Sequence, residues 1–206
     1  MIPIPDSVAF YWGDAINQAA INVLGGSLAP PGDLTLAEAE RFERANLAAR
    51  RVWLDYAGML RALWAASWEP AVRAHFPGAK LLTYAEQSAF SNEIETLADP
   101  SVEHAWQRKA VAGVFELGRT GRLFTRVGLT NGEREGELQF YLYGPDQTCA
   151  VTDALDLGPD WGDDGDNRRV TRAGLLVFAR DGRELDPAHL AKLALGAVAA
   201  LAAALV

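Results

Sequence analysis

The sequence predicts an α+β fold: an N-terminal helical layer packed on an antiparallel β-meander of about four to five strands, closed by a C-terminal apolar helix. Three observations carry this. Apolar residues recur at spacings of three and four through the first part of the chain, alternation replaces that period after about residue 110, and the C-terminal residues return to strong helix formers. No internal repeat or long linker interrupts the pattern. The chain therefore reads as one domain over 1–206, with a helical half over about 1–109 and the sheet plus C-terminal helix over about 110–206.

The first helix is expected in "PDSVAFYWGDAINQAAINVLGG". Asp6 or Ser7 is placed to cap it, Val8, Trp12, Ala15, Ala19 and Val23 share a face, and Gly25–Gly26 ends it. After the "SLAPPGD" loop, Thr35 and Glu38 form a capping-box pair. Phe42, Ala45, Ala49, Val52, Tyr56, Met59 and Leu63 then make one stripe, and Trp53, Ala57, Leu60, Trp64 and Trp68 make a second beside it. An apolar surface this wide needs more than one neighbour, so the helix is central or shared with another subunit. The second stripe and the short run of heptads argue against a coiled coil. Gly58 is a candidate kink, and Glu69–Pro70 predicts an end near Trp68, with "EPAVRAHFPG" as a separate short helix. "KLLTYAEQSAFSNEIETLADP" fits strand-then-helix or helix throughout, and Asp99–Pro100 opens a further helix, "SVEHAWQRKA".

Strands are expected in "VAGVFELG", "RLFTRVGLT", "ELQFYLY", "TCAVTDALDL" and "RVTRAGLLVFAR". Asn131–Gly132 signals a two-residue type I′ hairpin, which sets Thr130 opposite Glu133. In that register Leu123 faces Phe140, Thr125 faces Leu138 and Val127 faces Gly136 on the inner side. On the outer side Arg126 faces Glu137, Phe124 faces Gln139 and Arg122 faces Tyr141, with Tyr143 next along.

That outer side supplies the candidate binding surface: Arg122, Phe124, Arg126, Tyr141 and Tyr143. Arginines between aromatic rings are the equipment of a sheet that binds single-stranded nucleic acid, the rings stacking on bases and the guanidinium groups meeting phosphate. The competing explanations are cross-strand pairing, with Arg126 neutralised by Glu137, or a buried outer face whose rings are core. Arginine and tyrosine also suit a protein partner. The net charge of −8 opposes a phosphate backbone, so the balance tilts away from nucleic acid.

No other segment builds a catalytic constellation. "GPDWGDDGDNRR" puts Asp164 and Gly165 at the right places of a calcium loop begun at Asp160, but Gly162 and Thr171 stand where ligands are needed, so a solvated hairpin loop is expected. His75, His104 and His189 are scattered, Cys149 has no basic neighbour, and "LGRTGRLF" lacks a phosphate-loop pattern. Glu93, Glu95 and Asp99 could serve a metal nuclease but read as surface charge. No metal or cofactor is expected.

One cysteine suits a reducing compartment, and the N-terminus lacks the basic and apolar regions of a signal peptide, so a cytoplasmic location is expected. Abundant alanine with arginine in place of lysine points to a GC-rich bacterial genome. The apolar run after Lys192 covers only fourteen residues, short of the roughly 20 a membrane span needs, so the terminal helix is expected to be buried against the sheet or a second subunit. The reading is thus a bacterial, non-enzymatic interaction or regulatory module with a protein partner or homodimeric self-association. A metal-dependent hydrolase is the alternative, and single-strand nucleic-acid binding the third.

Overall fold

The long apolar stripe and the alternating segments fold against each other in a computed structural model, which describes residues 1–17, 19, 34–83, 110–129, 136–143, 150–163, 169–171, 177–178 and 184–206. The fold is α+β. Its elements are β1 (Ile2–Pro3), α1 (Asp6–Gly13), α2 (Leu36–His75), β2 (Lys80–Leu81), β3 (Ala110–Glu116), a 3-10 turn (Gly118–Thr120), β4 (Arg122–Leu129) and β5 (Gly136–Tyr143). They continue with α3 (Ala150–Asp153), β6 (Trp161–Asp163), β7 (Arg169–Thr171), β8 (Val177–Phe178), β9 (Glu184–Asp186) and α4 (Ala188–Ala204). A six-stranded antiparallel sheet has the order β2-β3-β4-β5-β7-β6, and a small antiparallel sheet has the order β1-β9-β8.

The capping box forms as expected. Thr35 Oγ1 accepts from the Glu38 N–H at 3.4 Å, and Glu38 Oε2 accepts from the Thr35 N–H at 2.9 Å. From there α2 runs 40 residues, through Gly58 and Pro70. The end expected near Trp68 and the separate short helix are therefore corrected to one continuous element. Pro70 removes one backbone bond, but Trp68, Ala71 and Val72 on either side of it are buried, and their packing outweighs that loss. Both predicted stripes are buried from Ala49 onward, and they meet the inner sheet face, α1 and α4.

α1 is shorter than its pattern. It ends at Gly13 because Asp14 is extended and its carboxylate accepts from Ile16 N–H at 2.6 Å, restarting a helical turn over 15–17. Neither Asp6 nor Ser7 caps it. Pro5 precedes the helix, and the Ser7 hydroxyl instead donates to Asp55 Oδ2 at 2.6 Å, tying α1 to α2. α4 buries Leu190, Ala194, Ala197, Val198 and Leu201 on α2 and leaves Lys192, Leu195 and Gly196 exposed. Its all-apolar composition therefore serves one face. At the start of α4 the Asp186 carboxylate accepts from Ala188 N–H at 2.9 Å. Among the described residues no helix is long and apolar enough to cross a membrane.

The hairpin has the predicted faces but not the predicted register. Leu123 lies opposite Leu142, Thr125 opposite Phe140, Val127 opposite Leu138, Arg126 opposite Gln139, Phe124 opposite Tyr141 and Arg122 opposite Tyr143. Every pairing is displaced by two residues, and a shift of two returns each side chain to its own face. Asn131–Gly132 lies outside the described residues. "TCAVTDALDL" was expected as a strand, but residues 150–153 form the helical turn α3. The cause lies on β5. Among the described residues β7 pairs Gln139 and Phe140, and β5 N–H groups on either side of that pair meet side-chain acceptors. Thr152 Oγ1 serves Leu142 N–H at 2.9 Å, and Thr171 Oγ1 serves Leu138 N–H at 2.7 Å. "RVTRAGLLVFAR" is likewise not one strand, for β7 and β8 belong to different sheets. Because β7 lies between β5 and β6, the connection is not a simple meander. β1, in a segment read as preceding the first helix, completes the small sheet.

Candidate functional site

The outer face of β3-β4-β5 is built in cross-strand rows. Val114–Phe124–Tyr141 forms one row, with Ala112–Arg126–Gln139 toward one end and Glu116–Arg122–Tyr143 toward the other. All five predicted binding residues therefore stand together on one side of two adjacent strands. Phe124 and Tyr141 stack at 4.5 Å between centroids and 15° between planes, and Tyr143 meets Tyr141 edge-on at 4.8 Å. Both stacked rings are buried, Phe124 to 3% exposure and Tyr141 to 1%, in a small cluster with Leu82, Ala112 and Val114.

The two arginines differ in their surroundings. Arg126 Nη1 lies 2.8 Å from Glu137 Oε1 and 3.1 Å from Gln139 Oε1, so its charge is met inside the hairpin. The partner is the diagonal neighbour, because the residue directly opposite is Gln139. Its backbone is also held from the other layer, since the Arg126 carbonyl accepts from Trp68 Nε1 at 2.9 Å. Arg122 reaches Glu116 at 3.9 Å across a more exposed edge. Arg122, Arg126 and Tyr143 retain partial exposure.

Among the described residues the remaining candidates do not converge. His75 closes α2 and His189 lies in the first turn of α4. Among the described residues no group of three or more His, Cys, Asp or Glu could hold a metal ion. The calcium-like segment is flanked by paired strands, Asp163 lying opposite Arg169, while residues 164–168 fall outside the described residues. Cys149, His104, Glu93, Glu95 and Asp99 also lie outside them.

A second surface was missed by the sequence reading. α2 spans about 60 Å at 1.5 Å per residue, whereas a compact chain of this length is about 45 Å across. Its first ten residues contain no buried side chain. Leu36, Leu47 and Leu54 on this helix are 78%, 61% and 41% exposed. They follow one another at intervals of eleven and seven residues, which sets them within about 20° of a single line along the helix. That line lies outside both buried stripes. Apolar residues recurring at 7 and 11 on an otherwise charged side were the available signal. Comparison with protein-family models, with curated proteins and with solved structures gives no match to this chain.

Proposed function

We propose that the protein is a non-enzymatic interaction module that meets a protein partner through the exposed side of α2. The observation that carries this reading is the exposed line Leu36–Leu47–Leu54 on the 40-residue helix α2. A single exposed leucine is ordinary, but three in register on a rigid rod offer a partner helix apolar anchors along one line, with charged residues between them. The sheet face is the weaker candidate, because its two best-placed rings are spent on each other and its Arg126 on Glu137. A photo-crosslinking amino acid at position 47 tests the reading in the source cells. Position 47 should give a discrete protein adduct that the same probe at exposed Lys192 does not. Identical, diffuse labelling from both positions would defeat it.

A further inference from the structure

We infer that the occupant of this face is a second copy of the chain, laid antiparallel along α2; the inference rests on the interaction reading above and names its partner. Along the exposed line the residues read Leu36, Glu40, Glu43, Leu47, Arg50 and Leu54, acid toward the helix start and base toward its middle. Reversed, the outer positions of this line complement one another, while Glu43 of each copy falls against Leu47 of the other. With Leu36 of one copy against Leu54 of the second, Glu40 falls against Arg50 at one end and Arg50 against Glu40 at the other. The two-fold axis then passes at position 45, with one Leu47 on each side of it, about 3 Å away along the helix.

Charge selects this arrangement over its competitors. A parallel pair in register sets Glu40 against Glu40 and Arg50 against Arg50, which is repulsive at both positions. Antiparallel pairing centred on Leu47 instead would need Arg51 as the partner of Glu43, but Arg51 Nε already bonds Asp55 Oδ2 at 2.9 Å. It would also leave Leu36 facing Gly58. Glu40 and Arg50 are both exposed, and among the described residues neither makes an ion pair. They cannot serve each other within one chain, since ten residues separate them by about 15 Å along the helix.

Sedimentation velocity on the full chain at roughly 100 µM reads the outcome, a concentration suited to a small helix-pair interface. The unsubstituted protein should sediment as a dimer. Glu40→Arg alone and Arg50→Glu alone should each weaken association roughly tenfold or more, because each creates two like-charge contacts in the pair. An equimolar mixture of the two variants should recover the original association as a heterodimer. Both positions are exposed, so each variant should keep the parent's circular dichroism. A monomeric parent protein, or a mixture no tighter than its separate components, overturns self-pairing. If position 47 nevertheless crosslinks a different protein, the interaction reading survives with another partner; if it crosslinks nothing, both fall.

Discussion

The indole of Trp64 occupies the space in which a side chain at Gly113 would begin. A β-carbon built on Gly113 runs into Trp64 Cζ2 and comes within 2.8 Å of Cε2. The ring cannot retreat easily. Its Nε1 donates to Thr125 Oγ1 at 3.0 Å, and its plane stacks on Phe115 at 5.7 Å and 13°. Gly113 is thus the gap in the inner sheet face that receives the centre of α2.

Gly113→Ala should therefore destabilise the protein by about 1–3 kcal/mol, the usual range for overpacking a filled core. Urea denaturation measures it. An unchanged midpoint would mean that the indole is free to move aside.

Thr125→Val keeps the volume and removes the hydroxyl. That hydroxyl accepts from Trp64 Nε1 and donates to the Gly113 carbonyl at 2.9 Å, both in a buried setting. Leaving such groups unsatisfied should cost about 2 kcal/mol. The cost should shrink in a Trp64→Phe background, where one of the orphaned partners is already gone. Equal costs in both backgrounds would separate Thr125 from Trp64.

Tyr56 packs between α1 and the core, and burial, with a smaller contribution from neighbouring Tyr11, pushes its phenol far above the ordinary value. A raised pKa favours the neutral form in the folded state. Its contribution is complete below the unfolded value of about 10 and is lost as pH rises above it, when the unfolded chain ionises and the folded one does not. Melting temperatures over pH 8 to 11 should fall at the alkaline end, and Tyr56→Phe should flatten that fall.

Glu38 moves the other way. The Thr35 hydroxyl and then the Thr35 N–H hold its carboxyl below the usual carboxylate value. The cap's contribution is present above the unfolded value and lost as pH falls through the folded one. NMR titration should show Glu38 ionising below the ordinary carboxylate value, and Thr35→Ala should return it toward that value. No difference between the two proteins would dissolve the capping box.

What was legible in the chain followed from periodicity. The capping box at Thr35 and Glu38, both stripes of α2 and the two faces of the hairpin could be read because helix and strand patterns depend on local spacing. Hairpin register was less accessible, since alternation fixes only the parity and the connection fixes the rest. Pro70 misled because burial of Trp68, Ala71 and Val72 is a tertiary fact that a local breaker signal does not contain. The helical turn at Thr152 answers the needs of Leu142, ten residues away, and no local pattern announces that. At the candidate surfaces, the sequence placed all five outer-face residues together but not the mutual stacking of Phe124 and Tyr141. The leucine line was less legible, because single leucines seven and eleven residues apart among charged neighbours resemble ordinary surface leucines.

Cysteine crosslinking tests the antiparallel self-pairing of α2 most directly. In a Cys149→Ser background, Leu36→Cys chains should not crosslink to one another, since the antiparallel pair separates the two copies of that position by about 27 Å along the axis. The same holds for Leu54→Cys alone. Mixed together under mild oxidation, the two variants should yield a single disulfide-linked heterodimer. Self-crosslinking of the Leu36→Cys protein, or no heterodimer in the mixture, would contradict the account.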